Sequence, residues 1–267
     1  MSVPQSSLPR KDLGPESLTG IESPFPRRMA IPKEKILAVI PARGGSKSIP
    51  KKNIFPFRGK PLIVHSVEQA LEAKRVGRVL VSTDSPEIRE IALQAGAEAP
   101  FLRPAQYARD ISPDLDVFQH ALRWLEREEG YRPELIVHLR PTSPLRPPGL
   151  IDEGIERLGA HPGADSLRTI VPAPLTPYKM WLLDGDFLNP LLGDPRHPEA
   201  YNLPRQLLPP VYWQNGYLDI TRWATVMEKN SMTGERILAL VMDSREDADI
   251  DTPRDLGKIE PQPSICP

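Results

Sequence analysis

The stretch Lys35-Ile-Leu-Ala-Val-Ile-Pro-Ala-Arg-Gly-Gly-Ser-Lys-Ser-Ile-Pro-Lys-Lys-Asn53 decides how the rest of the chain is read. Lys35–Pro41 is a short, continuous apolar run, the pattern of a strand buried on both faces. Four basic residues follow it at once, Arg43, Lys47, Lys51 and Lys52, set around the pair Gly44-Gly45. Glycines let a backbone approach a ligand closely and turn N–H groups toward it, and the cations neutralise a polyphosphate. A solvated basic loop is the competing reading on composition alone. Two familiar phosphate loops fail: no G-x-x-x-x-G-K-[ST] spacing ends at Ser46, and no third glycine completes G-x-G-x-x-G.

Outward from this loop, strand and helix patterns alternate. Leu62–Lys74 carries an apolar stripe at helical period through Leu62, Val67, Ala70 and Leu71. Arg78–Ser82 reads as a second strand, and Ser85–Ala95 as a second helix with Ser85 at its N-cap and Pro86 in its first turn. Asp114–Glu129 is a third helix, closed by Gly130, and Leu135–Leu139 a further apolar strand. This alternation predicts an α/β fold: a doubly wound, mostly parallel, Rossmann-like sheet that binds ligands beyond the carboxyl ends of its strands. After about residue 165 the pattern loosens into proline-rich stretches and hairpin-like strands, and a mixed-sheet edge or protruding arm over about 165–210 is expected. Residues 1–34 mix Pro, Ser, Gly and both charge signs without period, the composition of a disordered extension. The folded part is expected to start near Met29, the globular domain to cover 35–260, and 261–267 to be a disordered tail.

The chain has 267 residues, 34 Lys and Arg against 35 Asp and Glu, and 39% hydrophobic residues. Its formal charge of -1 offers no basic excess for nucleic-acid binding. No apolar run approaches the ~20 residues that span a bilayer. One cysteine, Cys266, excludes a disulfide framework and fits a reducing cytoplasm. Proline stands out, 33 of 267 residues where ~5% is usual; many of these lie in loops, where a fixed φ stiffens the connection.

The loop after the first strand resembles the signature I-P-A-R-x-x-S-K-G-[IL]-x-x-K-N of the acylneuraminate cytidylyltransferases (CMP-sialic acid synthetases), departing at Ser48, where that family has glycine. Further motifs follow in the family's order. Val81-Ser-Thr-Asp-Ser85 resembles its second-strand end, and Arg103-Pro104 with Ala108-Arg-Asp110 resembles R-P-x-x-L-A-x-D. Pro141-Thr-Ser-Pro-Leu-Arg146 resembles Q-P-T-S-P-L-R, with Arg140 where glutamine is frequent. Pro204-Arg205-Gln206, Tyr212 and Asn215-Gly216 resemble R-Q-x-x-P-x-x-Y-x-x-N-G, and Asp249-Ile-Asp-Thr-Pro253 the terminal D-I-D-T.

The resemblance implies transfer of CMP from CTP to the anomeric 2-hydroxyl of a sialic-type nonulosonic acid, with release of pyrophosphate. It implies Arg43, Lys47 and Lys52 as catalytic charge stabilisers. Ala42, Arg43, Gly44, Ser46, Asn53, Arg103, Asp110 and Asp114 would form the nucleotide site, Arg103 and the backbone around Asp110–Asp114 reading the base. Arg140, Thr142, Ser143, Lys179, Arg205, Gln206, Tyr212 and Asn215 would serve the acceptor. Its carboxylate calls for an arginine or lysine, although Arg205 reads equally well as a rim salt bridge. Asp249 and Asp251 stand two apart, so on an extended segment they project to one face. Paired carboxylates suit Mg²⁺, a hard ion that takes one or two carboxylates plus phosphate oxygens; a solvent-facing acidic turn is the alternative. Homodimerisation through the arm is implied by the family. A CMP-Kdo synthetase of the same fold, and a non-catalytic nucleotide-sugar-binding homologue, stay open as rivals. Ser46-Lys47 and Lys52-Asn53 favour the sialic branch, and the complete set Lys47, Lys52, Asp249 and Asp251 disfavours a dead homologue.

Overall fold

The computed structural model describes residues 31–46, 49–243, 250 and 255. The predicted extension before residue 31, the tail, Lys47, Ser48, Asp249 and Asp251 lie outside them. In chain order the strands are β1 (Ile36–Pro41), β2 (Pro56–Phe57), β3 (Lys60–Pro61), β4 (Arg78–Ser82), β5 (Leu135–His138), β6 (Ser166–Pro172), β7 (Trp181–Asp184), β8 (Phe187–Pro190), β9 (Tyr212–Arg222) and β10 (Ile237–Val241). The α-helices are α1 (Leu62–Glu72), α2 (Pro86–Gln94), α3 (Asp114–Glu129), α4 (Leu150–Ala160) and α5 (Trp223–Met227).

Six strands form one sheet in the order β10-β6-β9-β5-β1-β4. β1 pairs in parallel with β4 and β5, and β10 with β6, while β9 runs antiparallel to both β5 and β6. The mixed character expected near an edge therefore sits inside the sheet, since β10 and β4 are its edges. β1 shows why the sheet is covered on both sides. Its side chains alternate at period two, so Ile36, Ala38 and Ile40 join one apolar cluster with Ile63, Val67, Ile88 and Ile155 from α1, α2 and α4. Leu37 and Val39 join the other, with Phe118, Leu122 and Leu125 of α3 and Val226 of α5.

The helix boundaries follow local chemistry. Ser85 Oγ accepts from Ile88 N at 3.3 Å, and Pro86 occupies the first turn of α2. Gly130 closes α3 with φ +62°, a left-handed cap that glycine adopts without steric cost. Among the described residues β7 and β8 pair only with each other, forming a hairpin whose eight strand residues are all exposed. Among the described residues no helix is long and apolar enough to cross a membrane.

Candidate active site

The parallel strands β1, β4 and β5 all end on one side of the sheet, and the loops leaving them surround an open cleft of about 1010 Å³. Beyond β1, Ala42 is buried and its N donates to Ser82 O at 3.0 Å, tying the basic loop to the end of β4. Gly44 N donates to Asp84 Oδ1 at 2.9 Å, and a Cβ at Gly44 would stand 3.0 Å from that of Ser85, so the loop turns where only a small residue fits. Asn53 is buried and donates from Nδ2 to Arg43 O at 2.9 Å, holding the backbone on which Arg43 stands. Lys51 takes φ +53°, an uncommon left-handed setting for a non-glycine residue.

Arg43, Ser46, Lys52, Asn53, Arg103, Asp110 and Asp114 all line the cleft. Arg43 Nη1 reaches Asp110 Oδ1 at 2.5 Å, a half-exposed pair across the cleft. Arg103 is 5% exposed, with Asp84 at 3.8 Å and no hydrogen-bond partner for its Nε. Burial pulls its guanidinium below the ordinary arginine range and Asp84 opposes the shift. Behind it, Tyr107 lines the cleft and its ring lies 5.4 Å from that of His120, which packs edge-on to Phe101. His120 is thus a packed ring, and His65 binds Phe57 O and packs on that ring.

The second half of the cleft is built at the ends of β5 and β9. Arg140, Thr142 and Asn215 line it, together with Trp213, Gln214 and Gly216. The loop over 140–146 is held from beneath by Arg146, which is buried and donates to Tyr217 O at 2.5 Å, Arg140 O at 2.6 Å, Ser66 Oγ at 2.9 Å and Gln69 Oε1 at 3.0 Å. Arg146→Met is therefore expected to leave several buried acceptors without a donor and to destabilise the fold by about 3 kcal/mol or more. A urea unfolding midpoint close to the wild type would contradict this account of the loop.

Of the predicted acceptor residues, Ser143 is fully buried behind the wall, its Oγ donating to Gly216 O at 3.5 Å. Lys179, Arg205, Gln206 and Tyr212 do not line the cleft of their own chain. Arg205 instead donates to Ala173 O and Pro174 O at 2.5 and 3.0 Å, bracing the segment that leaves β6. Ile250 is fully buried, and its N donates to Thr142 O at 2.8 Å. The residue between the two predicted metal carboxylates is thus anchored beside the cleft, and Asp255 lines it. Among the described residues no group of three or more His, Cys, Asp or Glu is arranged to hold a metal.

His138 is a cleft residue that the sequence reading did not single out. It is 2% exposed, its ring centroid lies 4.7 Å from that of Phe118, and Nδ1 lies 3.9 Å from Asp219 Oδ2. Burial first, then Arg140, Arg146 and Arg168, hold the imidazole neutral well below its usual pKa of 6.5. The folded ring refuses a proton that the unfolded chain takes up, so this residue makes stability fall as pH drops below about 6.5. The expected slope is at most about 1.4 kcal/mol per pH unit. Denaturant midpoints between pH 5 and 7 should show a shallower acid slope in His138→Gln; an unchanged slope would refute the assignment.

The cytidylyltransferase family model matches residues 37–173, just over half of the chain. A CMP-N,N'-diacetyllegionaminic acid synthase of Legionella pneumophila is 34% identical over 229 residues, covering 85% of this chain and 95% of that protein. A pseudaminic acid cytidylyltransferase of Campylobacter jejuni is 40% identical over 123 residues, covering 46% of this chain and 53% of that protein. Among solved structures, a CMP:2-keto-3-deoxy-manno-octonic acid synthetase complexed with CTP shares the fold with a TM-score of 0.62 at 16% identity, covering 84% of this chain and 96% of that one.

Proposed function

The chain belongs to the cytidylyltransferase family, and on that premise we propose that it transfers CMP from CTP to the anomeric 2-hydroxyl of a sialic-type nonulosonic acid. The supporting observation is a single cleft with cationic groups in both halves: Arg43, Lys52 and Arg103 beyond β1 and β4, and Arg140 beyond β5. A nucleoside triphosphate and an acidic sugar are both anions, and β1 and β5, whose loops carry Arg43, Lys52 and Arg140, are neighbours in the sheet.

In the step, the 2-hydroxyl oxygen bonds to the α-phosphorus as the bond to the bridging oxygen breaks. Pyrophosphate leaves with the electron pair, and the hydroxyl proton passes to solvent. Such a transfer needs positioning and charge stabilisation and no covalent enzyme intermediate. Arg43 and Lys52, with Lys47 of the same loop, offset charge on the α-phosphate and leaving group. Ser46, Asn53 and the Gly44 backbone seat the phosphates or ribose. Arg103, with Asp110 and Asp114, takes the base, and Arg140, Thr142 and Asn215 take the acceptor. Asp249 and Asp251, on either side of the anchored Ile250, would hold Mg²⁺, which supplies Lewis-acid polarisation of the phosphate when bound. With CTP labelled at the α-phosphate, the label should move into a sugar-linked product; label appearing only in free CMP would overturn the transfer reading.

We also propose a homodimer acting in the cytoplasm: the exposed hairpin supports the dimer, and the single cysteine fits a reducing compartment. Leu183 and Phe187 are 74% and 78% exposed, with Leu182, Leu188, Leu191 and Leu192 beside them, an apolar surface of the kind that marks an interface. A partner's arm would bring Lys179 and Gln206 toward the neighbouring cleft. Leu183→Asp with Phe187→Asp is expected to convert a dimer into a folded monomer in sedimentation velocity. A wild-type monomer, or a dimer that survives both changes, would count against the arm.

A further inference from the structure

Beneath the acceptor half of the cleft lies a charged network that joins Arg140 to three residues the scheme above does not use, Asp219, Arg168 and Gln214. Arg140 Nη1 donates to Asp219 Oδ2 at 2.8 Å and Arg168 Nε lies 3.6 Å from Asp219 Oδ1. Arg168 Nη1 donates in turn to Gln214 Oε1 at 2.5 Å. Only 10% of the Asp219 side chain is exposed, against 25% for Arg140. On its other edge, among the described residues, Arg140 has only a long contact, Nη2 to the half-exposed Asp114 Oδ2 at 3.6 Å.

Resting on the proposed function, we propose that Asp219 is a positioning residue that aims Arg140 at the acceptor's carboxylate. By clamping one edge of the guanidinium from below, Asp219 leaves the Nη2 edge turned to the cleft, where a planar carboxylate can meet it. The weak Asp114 contact is the one an incoming carboxylate would replace. Stability does not explain the network. Asp219 Oδ1 and Arg168 Nε are buried without hydrogen-bond partners, as are His138 Nε2 and Thr221 Oγ1 nearby. A buried ion pair with such loose ends is often less stabilising than apolar packing of the same volume. Nor can Asp219 meet the sugar itself, because the chamber beside it, lined by Asp219, His138, Arg168 and Thr221, has only about 10 Å³, room on the order of one water. Its influence must pass through Arg140.

The test is a double-mutant cycle in steady-state kinetics on the full chain, with melting temperatures alongside. Asp219→Asn should raise the acceptor KM about tenfold, with the KM for CTP changed less than about twofold. In an Arg140→Gln background the same change should add almost nothing, because the residue it acts through is gone. A matching rise in the KM for CTP, or an undiminished effect in that background, would overturn the proposal. Should Asp219→Asn fail to fold, Arg168→Gln releases the other side of the carboxylate and should raise the acceptor KM in the same direction; no change there would also overturn it. A folded wild type that turns over no nonulosonic acid would instead remove the functional reading, and this proposal with it.

Discussion

Arg43→Ala is expected to lower kcat/KM for CTP by about a hundredfold or more, with little change in melting temperature. The size follows from the position of the guanidinium. It stands on a backbone pinned by Asn53 and Ala42 and lines the cleft where the phosphates are proposed to lie. Preorganised charges aimed at a developing anion are worth about a hundred- to a thousandfold each. Stability should hold, because the Arg43 side chain is 35% exposed and its Asp110 partner 40% exposed, and such pairs contribute about 0–1 kcal/mol. Arg43→Lys should recover only part of the loss, since an ammonium cannot make the two-pronged contact of a guanidinium. Steady-state pyrophosphate release with differential scanning calorimetry checks all three statements. A tenfold or smaller loss in Arg43→Ala would move the phosphates away from this loop.

Metal removal should have the larger effect. Chelation with EDTA is expected to abolish turnover, and Asp251→Asn or Asp249→Asn to lower kcat by about a thousandfold. The figure corresponds to several kcal/mol of transition-state charge stabilisation. The placement rests on Ile250, buried against Ile49, Phe57 and Leu62 and bonded through its N to Thr142 O beside the cleft. Product should be followed directly by chromatography, so that no metal-dependent coupling enzyme shares the chelator's effect. Full activity in EDTA, restored by no divalent ion because none was lost, would contradict a metal-assisted transfer.

Much of the architecture was written in local patterns. Ile36–Ile40 is apolar at every position because helices cover both faces of the strand, and Ser85-Pro86 and Gly130 mark helix ends through chemistry confined to a turn. The place of β9 was not legible. It joins β5 and β6 through pairs such as Ile136 with Thr221 and Leu167 with Ile220, and sequence-distant pairing leaves no local signature. The cleft was partly readable for a similar reason. Arg43, Lys52, Asn53 and Arg140 sit in motifs at strand ends, where α/β ligand sites form. His138 closes the otherwise apolar strand Leu135–His138, and Asp219 stands between Leu218 and Ile220 in β9, so the trace each left was one polar residue beside apolar neighbours. The role of Asp84 was hidden because its contact, the N of Gly44, is 40 residues away.

The central claim is most directly tested by pyrophosphate release from CTP with Mg²⁺ against N-acetylneuraminate, legionaminate, pseudaminate and Kdo in turn. The account predicts release with at least one of the three nonulosonic acids and little with Kdo. Silence across the panel from folded protein that still binds CTP, or release with Kdo alone, would contradict it.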